Sequence, residues 1–326
     1  MPVVTVVIPT RDRAGMLSQA LASVLAQDVD LEVIVVDEAS TDATATFLAG
    51  VDDARLRVIT NPAPVGLPRA RNAAIEQAQG EVVAFLDDDD LWFPGKLRSQ
   101  LDAMAVEGAD WSYGGAIIFS EGPRLESVIL APAPDLAVAQ LPYRNMVPGG
   151  GSNAIVSRMA LERVGPFALD LPSIEDWDLW IRLSLLGPPA TTEAIGTAYR
   201  RHGGNMSRAV ARTLASSAEL ESRTFPLRDG RPIDWADLLH WTSSDALRAG
   251  DRRMARRIAL KSLRGRHPGS FKRLLQSASP WPRRPPIPEP REPINLYERI
   301  RPPRVVPWPP GMDTELRRML AQSTER

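Results

Sequence analysis

Four consecutive aspartates, Asp87 to Asp90, stand directly behind the apolar run Val82-Val83-Ala84-Phe85-Leu86. Carboxylates so close repel one another unless a cation or a ligand's hydrogen bonds offset the repulsion. Hard oxygen ligands suit Mg2+ or Mn2+ bridging to phosphate, although the run by itself also reads as a solvated acidic turn. Two further polar groups end apolar runs: Pro9-Thr10-Arg11-Asp12-Arg13 and Asp37-Glu38-Ala39-Ser40. Asp37 or Glu38 can accept hydrogen bonds from a base or ribose, and Arg69 or Arg71 can pair with phosphate. The two arginines read equally as a solvated helix face. Gly149-Gly150-Gly151-Ser152-Asn153 either lets backbone approach a ligand closely or forms a flexible connector. Glu175-Asp176 opens the amphipathic stretch Trp177 to Leu186, where acidic residues also serve as helix caps.

Alternating strand and helix patterns must hold these groups. Val3 to Ile8, ended by Pro9, reads as a strand, followed by helical spacing of Met16, Leu17, Ala20, Leu21, Val24 and Leu25. Leu31 to Val36 is a second strand. Ser40, Thr41 and Asp42 offer N-caps for a helix through Leu48. Leu56 to Thr60 is a third strand. Pro68 begins a helix running to about Gln79, with Gly80 as its stop. The Val82 strand follows, then a helix from Pro94 to about Val106, a strand from Trp111 to Phe119 and a short one from Ala154 to Ser157. Such a βαβ series predicts an α/β fold with a mostly parallel sheet and helices on both faces. Ligands of such sheets bind beyond the carboxyl ends of the strands, where the three polar clusters fall.

Composition narrows the field. The chain has 326 residues, with Lys plus Arg 39 and Asp plus Glu 40, so no global charge points to nucleic acid. It has no cysteine, which excludes disulfides and thiolate metal sites. Neither a signal-peptide pattern nor an apolar run of roughly 18 residues is present, so a cytoplasmic protein is expected. No GxGxxG or GxxxxGK[ST] motif follows a strand, which argues against a dinucleotide fold or a P-loop.

In order and spacing, six segments resemble the family 2 glycosyltransferases of the nucleotide-sugar-transferase (GT-A) fold. They are Val6 to Thr10, Val35 to Asp42, Gly66 to Asn72, Gly80 to Trp92, Val164 to Phe167 and Glu175 to Arg182. The resemblance spans about residues 3 to 207. It implies a catalytic domain over 1–207, with a nucleotide-sugar half (1–120) and an acceptor half (121–207). It also implies Mn2+ or Mg2+ at the aspartate run, with Asp89 the metal ligand, Asp87 a further ligand or ribose contact, Asp88 a support and Asp90 structural. His202, in Tyr199-Arg200-Arg201-His202, matches a segment that joins the metal shell in some such enzymes. Pro9, Thr10, Arg11, Asp37 and Glu38 fall in the donor's nucleotide pocket, with Glu38 where the family usually has aspartate. Asp176 matches the general base of an inverting single displacement. Glu175, Trp177, Gly150 and Gly151 fall on the acceptor side. The donor implied is a nucleotide-diphosphate sugar, UDP-linked first, with dTDP and GDP as alternatives. The acceptor is left open.

Beyond residue 207 the family pattern ends. Residues 208–275 read as a helical basic extension, with helices over 209–225 and 233–264. Between Arg248 and Arg273 stand ten Lys or Arg and one acidic residue, Asp251. This segment predicts either a solvated face or peripheral contact with the inner face of a membrane. Residues 276–326 form a proline-rich tail with a short final helix over Asp313 to Gln322. Twelve prolines between Pro280 and Pro310, with Trp281, Tyr297 and Trp308, suggest docking on the chain itself or on a protein partner. Two other functions share parts of this logic. A sugar nucleotidyltransferase would want a glycine-rich basic loop after the first strand. A non-catalytic glycosyltransferase-like binding module would be expected to lose the metal or base carboxylates.

Overall fold

Three β-branched runs form the centre of the molecule: β1 (Val4–Thr10), β2 (Leu31–Asp37) and β4 (Val82–Phe85), every residue of them buried. The computed structural model describes residues 3–120, 124–202, 210–228, 230–235, 238–239, 242–243, 246–247, 250–264 and 311–321. With β3 (Leu56–Thr60) these strands pair in parallel in the order β3-β2-β1-β4. Because side chains alternate across a strand, β1 feeds two cores. Val4, Val6 and Ile8 pack with Leu17, Leu21 and Val24 of α1 (Ala14–Leu25). Val7 packs on the other face with Ala70 and Ala74 of α3 (Leu67–Glu76). That is why the strands are apolar throughout rather than alternating. The remaining helix of this half before β4, α2 (Thr44–Ala49), is short.

Several boundaries differ from those expected. β1 runs through Pro9 to Thr10, with Pro9 opposite Val36 of β2. The missing proline N–H faces the β4 side, where pairing has stopped at Val7 opposite Phe85, so no ladder bond is lost. α3 stops at Glu76, and Gly80 is not its terminator. Gly80 N–H donates to Thr5 Oγ1, and a Cβ there would lie 2.5 Å from the Thr5 nitrogen, so this glycine is a crossing point over β1. α2 is capped by no side chain; Asp42 instead accepts from Thr44 N–H at 2.9 Å.

The second half extends the same sheet with mixed pairing. It comprises β5 (Leu91–Trp92), α4 (Lys96–Glu107), β6 (Trp111–Ser120), β7 (Arg124–Ile129), α5 (Pro134–Gln140), β8 (Ile155–Ser157), α6 (Arg158–Val164), α7 (Glu175–Ser184) and β9 (Ala190–Arg201). The sheet order is β3-β2-β1-β4-β8-β6-β9-β5, with β7 beside β6. A plain βαβ series would lay β6 directly on β4. Instead three residues of β8 enter between them, antiparallel to both. β6 and β9 are parallel, while β5 joins β9 antiparallel. The sheet is therefore parallel in the first half and mixed in the second.

Farther along lie α8 (Val210–Thr224), α9 (Arg252–Arg264) and α10 (Met312–Ala321). Leu220 of α8, together with Ile233, is buried in the same core as Phe85 and Trp180. The final helix, expected over 313–322, packs Leu316 and Met319 against Leu91, Phe93 and Phe119. The proline-rich segment 280–310 lies outside the described residues.

Candidate functional site

The carboxyl ends of β1, β2 and β4 and the start of α7 open onto one cleft of about 530 Å3. Asp87, Asp88 and Asp89 line it, while Asp90 is buried outside the lining. Asp87, about a third exposed, accepts from Arg71 Nη2 at 2.6 Å. Asp88 accepts from Thr10 Oγ1 at 2.7 Å and Arg13 Nη1 at 2.8 Å. Asp89 Oδ2 receives the same arginine at 2.8 Å and lies 2.8 Å from His202 Nε2. Asp90 is wholly buried, accepting from Ser152 Oγ at 2.6 Å and the Arg200 N–H at 2.8 Å. Burial and the neighbouring Asp89 raise the Asp88 carboxyl to about 6, and burial pushes Asp90 well above the ordinary carboxylate range. Asp87, Asp89 and Asp90 each present an oxygen within 4.8 Å of the others. Three hard carboxylate oxygens converging at that spacing fit a divalent cation, whose charge would relieve their repulsion. Asp88, held by Thr10 and Arg13, falls outside that trio.

The second carboxylate pair lies at the first turn of α7. Ile174, at φ +65°, turns the chain into the helix, so Glu175 and Asp176 are helical residues rather than its cap. Asp176 Oδ1 accepts from the Trp177 N–H at 2.7 Å. Glu175 accepts from Arg71 Nη1 at 2.5 Å. Burial, then repulsion from Asp176, raises the Glu175 carboxyl to about 7; burial likewise raises Asp176, against the pull of Arg71. Arg71 is 1% exposed and stacks on Phe167 at 5.1 Å, so it ties Asp87 to Glu175 across the cleft floor. The triple-glycine segment closes the same corner. A Cβ on Gly151 would lie 2.8 Å from Arg71 Nη2, and one on Gly150 3.1 Å from Asp176 Oδ2. Only glycine lets this backbone pass so near both groups.

Of the residues singled out in the sequence, the cleft brings together Pro9, Thr10, Arg11, Glu38, Arg71, Asp87 to Asp89, Gly150, Gly151, Glu175 and Asp176. Arg71 is engaged with carboxylates rather than open to a phosphate. Arg69 is exposed and outside the lining. Asp37 is buried and bonded to the Ser40 N–H at 3.0 Å, away from the lining. Trp177 is a core residue whose Nε1 donates to the Leu141 carbonyl. Glu38 reaches the lining, but its carboxylate accepts from Asn61 Nδ2 and the N–H groups of Val65 and Gly66. Sequence reasoning gave no site role to Ser152 or Arg200, which fix Asp90. It also missed Arg13 as the cation between Asp88 and Asp89, although Arg13 stood in the first polar cluster.

The model of the family described as Glycosyl transferase family 2 matches residues 5–165. The Escherichia coli UDP-Glc:alpha-D-GlcNAc-diphosphoundecaprenol beta-1,3-glucosyltransferase WfaP is 30% identical over 212 residues, 64% of this chain and 80% of the relative. The chain belongs to glycosyl transferase family 2. It is a glycosyltransferase, which sets aside the nucleotidyltransferase and non-catalytic readings. The fold of this glycosyltransferase is also that of solved structures. Staphylococcus aureus TarS residues 1–349 superimposes with TM-score 0.52 at 17% identity, covering 84% of this chain and 88% of that one. The Pyrobaculum calidifontis mannosyltransferase PcManGT, solved with GDP-Man and Mn2+, gives TM-score 0.52 at 20% identity, covering 85% and 84%.

Proposed function

We propose that this glycosyltransferase moves a hexosyl group from a nucleotide-diphosphate sugar to an acceptor hydroxyl by single displacement, with inversion. The observation that carries the reading is Arg71, which joins the aspartate cluster to the Glu175-Asp176 pair in one cleft. Its volume falls in the range of small-molecule sites. Asp89 and Asp87, with Asp90 or His202 completing the set, would hold Mn2+ or Mg2+. Such a cation supplies neutralisation of the charge developing on the departing diphosphate. Pro9, Thr10, Arg11 and the 61–66 loop held by Glu38 would frame the nucleotide.

Asp176 is proposed as the general base. At a helix N-terminus the dipole favours its ionised form, which alone would make it a weak base. Burial acts in the opposite direction and raises its proton affinity. Glu175 is already paired with Arg71, leaving Asp176 to take the acceptor's proton. A UDP-linked donor is proposed first, because WfaP carries UDP-Glc in its name. The same relative supports an acceptor sugar on a diphospho-lipid, which would bring the enzyme to a membrane face. Among the described residues no helix is long and apolar enough to cross a membrane.

The test is a thermal-shift panel of UDP-, dTDP- and GDP-sugars with and without Mn2+. One nucleotide class is expected to stabilise the protein in a metal-dependent way, with the effect lost in Asp89→Asn. Equal stabilisation without metal would remove the metal from the reading. Asp176→Asn is expected to keep donor binding and lose turnover by at least about 100-fold; normal turnover would remove Asp176 from its role.

A further inference from the structure

The helix α9 reads Arg-Arg-Met-Ala-Arg-Arg-Ile-Ala-Leu-Lys-Ser-Leu-Arg, six basic residues and no acidic one. Its inward face is apolar: Ala255 and Ile258 are buried in a small cluster with Ala246, and Leu239 packs against it. The outward face carries Arg253, Arg256 and Arg257, all exposed and without an ion-pair partner among the described residues. Leu260, three and four positions on and 49% exposed, continues the same stripe. The nearest acidic residue in sequence, Asp251, is spent as a cap, accepting the Met254 N–H at 2.9 Å. Like charges three and four apart on a helix destabilise it, so the stripe calls for a polyanionic counterpart.

Its place in the fold says which one. Leu238 lines the catalytic cleft, and its neighbour Leu239 belongs to the cluster beneath α9. The Leu239 N–H is held by the Trp235 carbonyl, and the Trp235 ring packs on Trp177, next to Asp176. The basic stripe is thus linked to the wall of the cleft through Leu239, Leu238 and the Trp235–Trp177 contact. We propose that α9 docks this glycosyltransferase on an anionic phospholipid bilayer, with Arg253, Arg256 and Arg257 among the headgroups and Leu260 entering the interface. Choosing a bilayer over a polyanionic polymer rests on Leu260 and on the lipid-linked acceptor proposed above. The fit is that of interfacial helices, which combine a basic face with an apolar contact. Docked so, the cleft would stand beside the layer that holds a lipid-borne acceptor.

Full-length protein is sedimented with vesicles of phosphatidylcholine alone or mixed with phosphatidylglycerol, at about 0.1 M and about 1 M salt. Binding is expected to the anionic vesicles only, and to be lost at the higher salt. Each basic residue near such a surface adds about fivefold to partitioning. Arg253→Gln/Arg256→Gln/Arg257→Gln should therefore bind on the order of 100-fold less, with its melting temperature and donor-induced shift unchanged. Leu260→Gln, at a half-exposed position, is expected to weaken partitioning several-fold without loss of fold. Equal binding to neutral vesicles, undiminished binding by the triple variant, or tighter binding to RNA than to anionic vesicles would each overturn the proposal. The vesicles carry no acceptor and the donor shift is read in solution, so failure here and failure of the donor reading are separately visible.

Discussion

Arg71 is the residue on which the site turns. Its guanidinium is buried and donates to both Asp87 and Glu175, so one cation serves two carboxylates. Removing one partner of a buried ion pair leaves the others uncompensated, at about 3–5 kcal/mol. Arg71→Ala is expected to lose that much in denaturant unfolding, and Arg71→Lys not to restore activity, since one ammonium lacks the fork that spans both acids. An Arg71→Lys enzyme with wild-type turnover would show that the bridge is dispensable. Glu175 gives a pH prediction. Its folded value of about 7 lies above the ordinary 4.5. A raised folded value means a stability contribution fully present below 4.5 and lost as pH rises through 7. Glu175→Gln cannot titrate. The stability difference between wild type and this variant should therefore shift against the wild type by up to about 3 kcal/mol from pH 4.5 to 8. Denaturant midpoints at several pH values measure it, and a flat difference would contradict the assignment.

At the scale of elements, the loop over residues 61–66 depends on a side chain from another strand end. Glu38 accepts from the N–H groups of Val65 at 2.9 Å and Gly66 at 2.7 Å, and Gly66, at φ +90°, leads into the helix that carries Arg71. Aspartate at 38 is one methylene shorter and would not reach both amides. Glu38→Asp is expected to weaken donor binding by about tenfold, or 1.4 kcal/mol, while leaving the preference among nucleobases unchanged, because the carboxylate holds the loop rather than the base. A variant whose base preference switches would show the reverse. This is also where sequence reading reached its limit. β1, β2 and β4 were legible because burial on both faces makes them continuous β-branched runs, and the aspartates were legible because they follow one of those runs. β9 was not, since its pairing with β6 shifts register at Tyr113 to Ala116 and its exposure follows no simple alternation. β8 was legible as a short strand after the glycines, but its insertion between β4 and β6 was not, because that is fixed by distant pairing. The roles of Arg71, Asp37 and Trp177 depended likewise on partners 15 or more residues away or on burial, which residue type alone does not reveal.

At the scale of the whole molecule, the last helix closes the sheet behind the aspartates. Leu316, fully buried, and Met319 pack on Leu91 and Phe93, which directly follow the aspartate run, and on Ala198 of β9. Gln19 of α1 links this helix to the site: its Nε2 donates to the Leu320 carbonyl and its Oε1 accepts from Arg200 Nη2. Arg200 in turn donates through Nε to the Asp89 carbonyl and through its backbone N–H to Asp90. Helix α10 is therefore part of the packing around the site, and two consequences can be separated. Leu316→Ala removes buried methyl groups and should cost about 2–5 kcal/mol, seen as a melting temperature lowered by about 2–4 °C per kcal/mol. Its donor binding at 25 °C should stay near that of the wild type, because β9 still presents the Arg200 N–H to Asp90. Arg200→Ala should do the opposite, with a modest loss of stability and a clear loss of metal-dependent donor stabilisation, since the Asp89 carbonyl and the Gln19 link lose their donor. If the two variants behaved alike in both measurements, the terminal helix would be acting on the site directly rather than through the general stability of the fold.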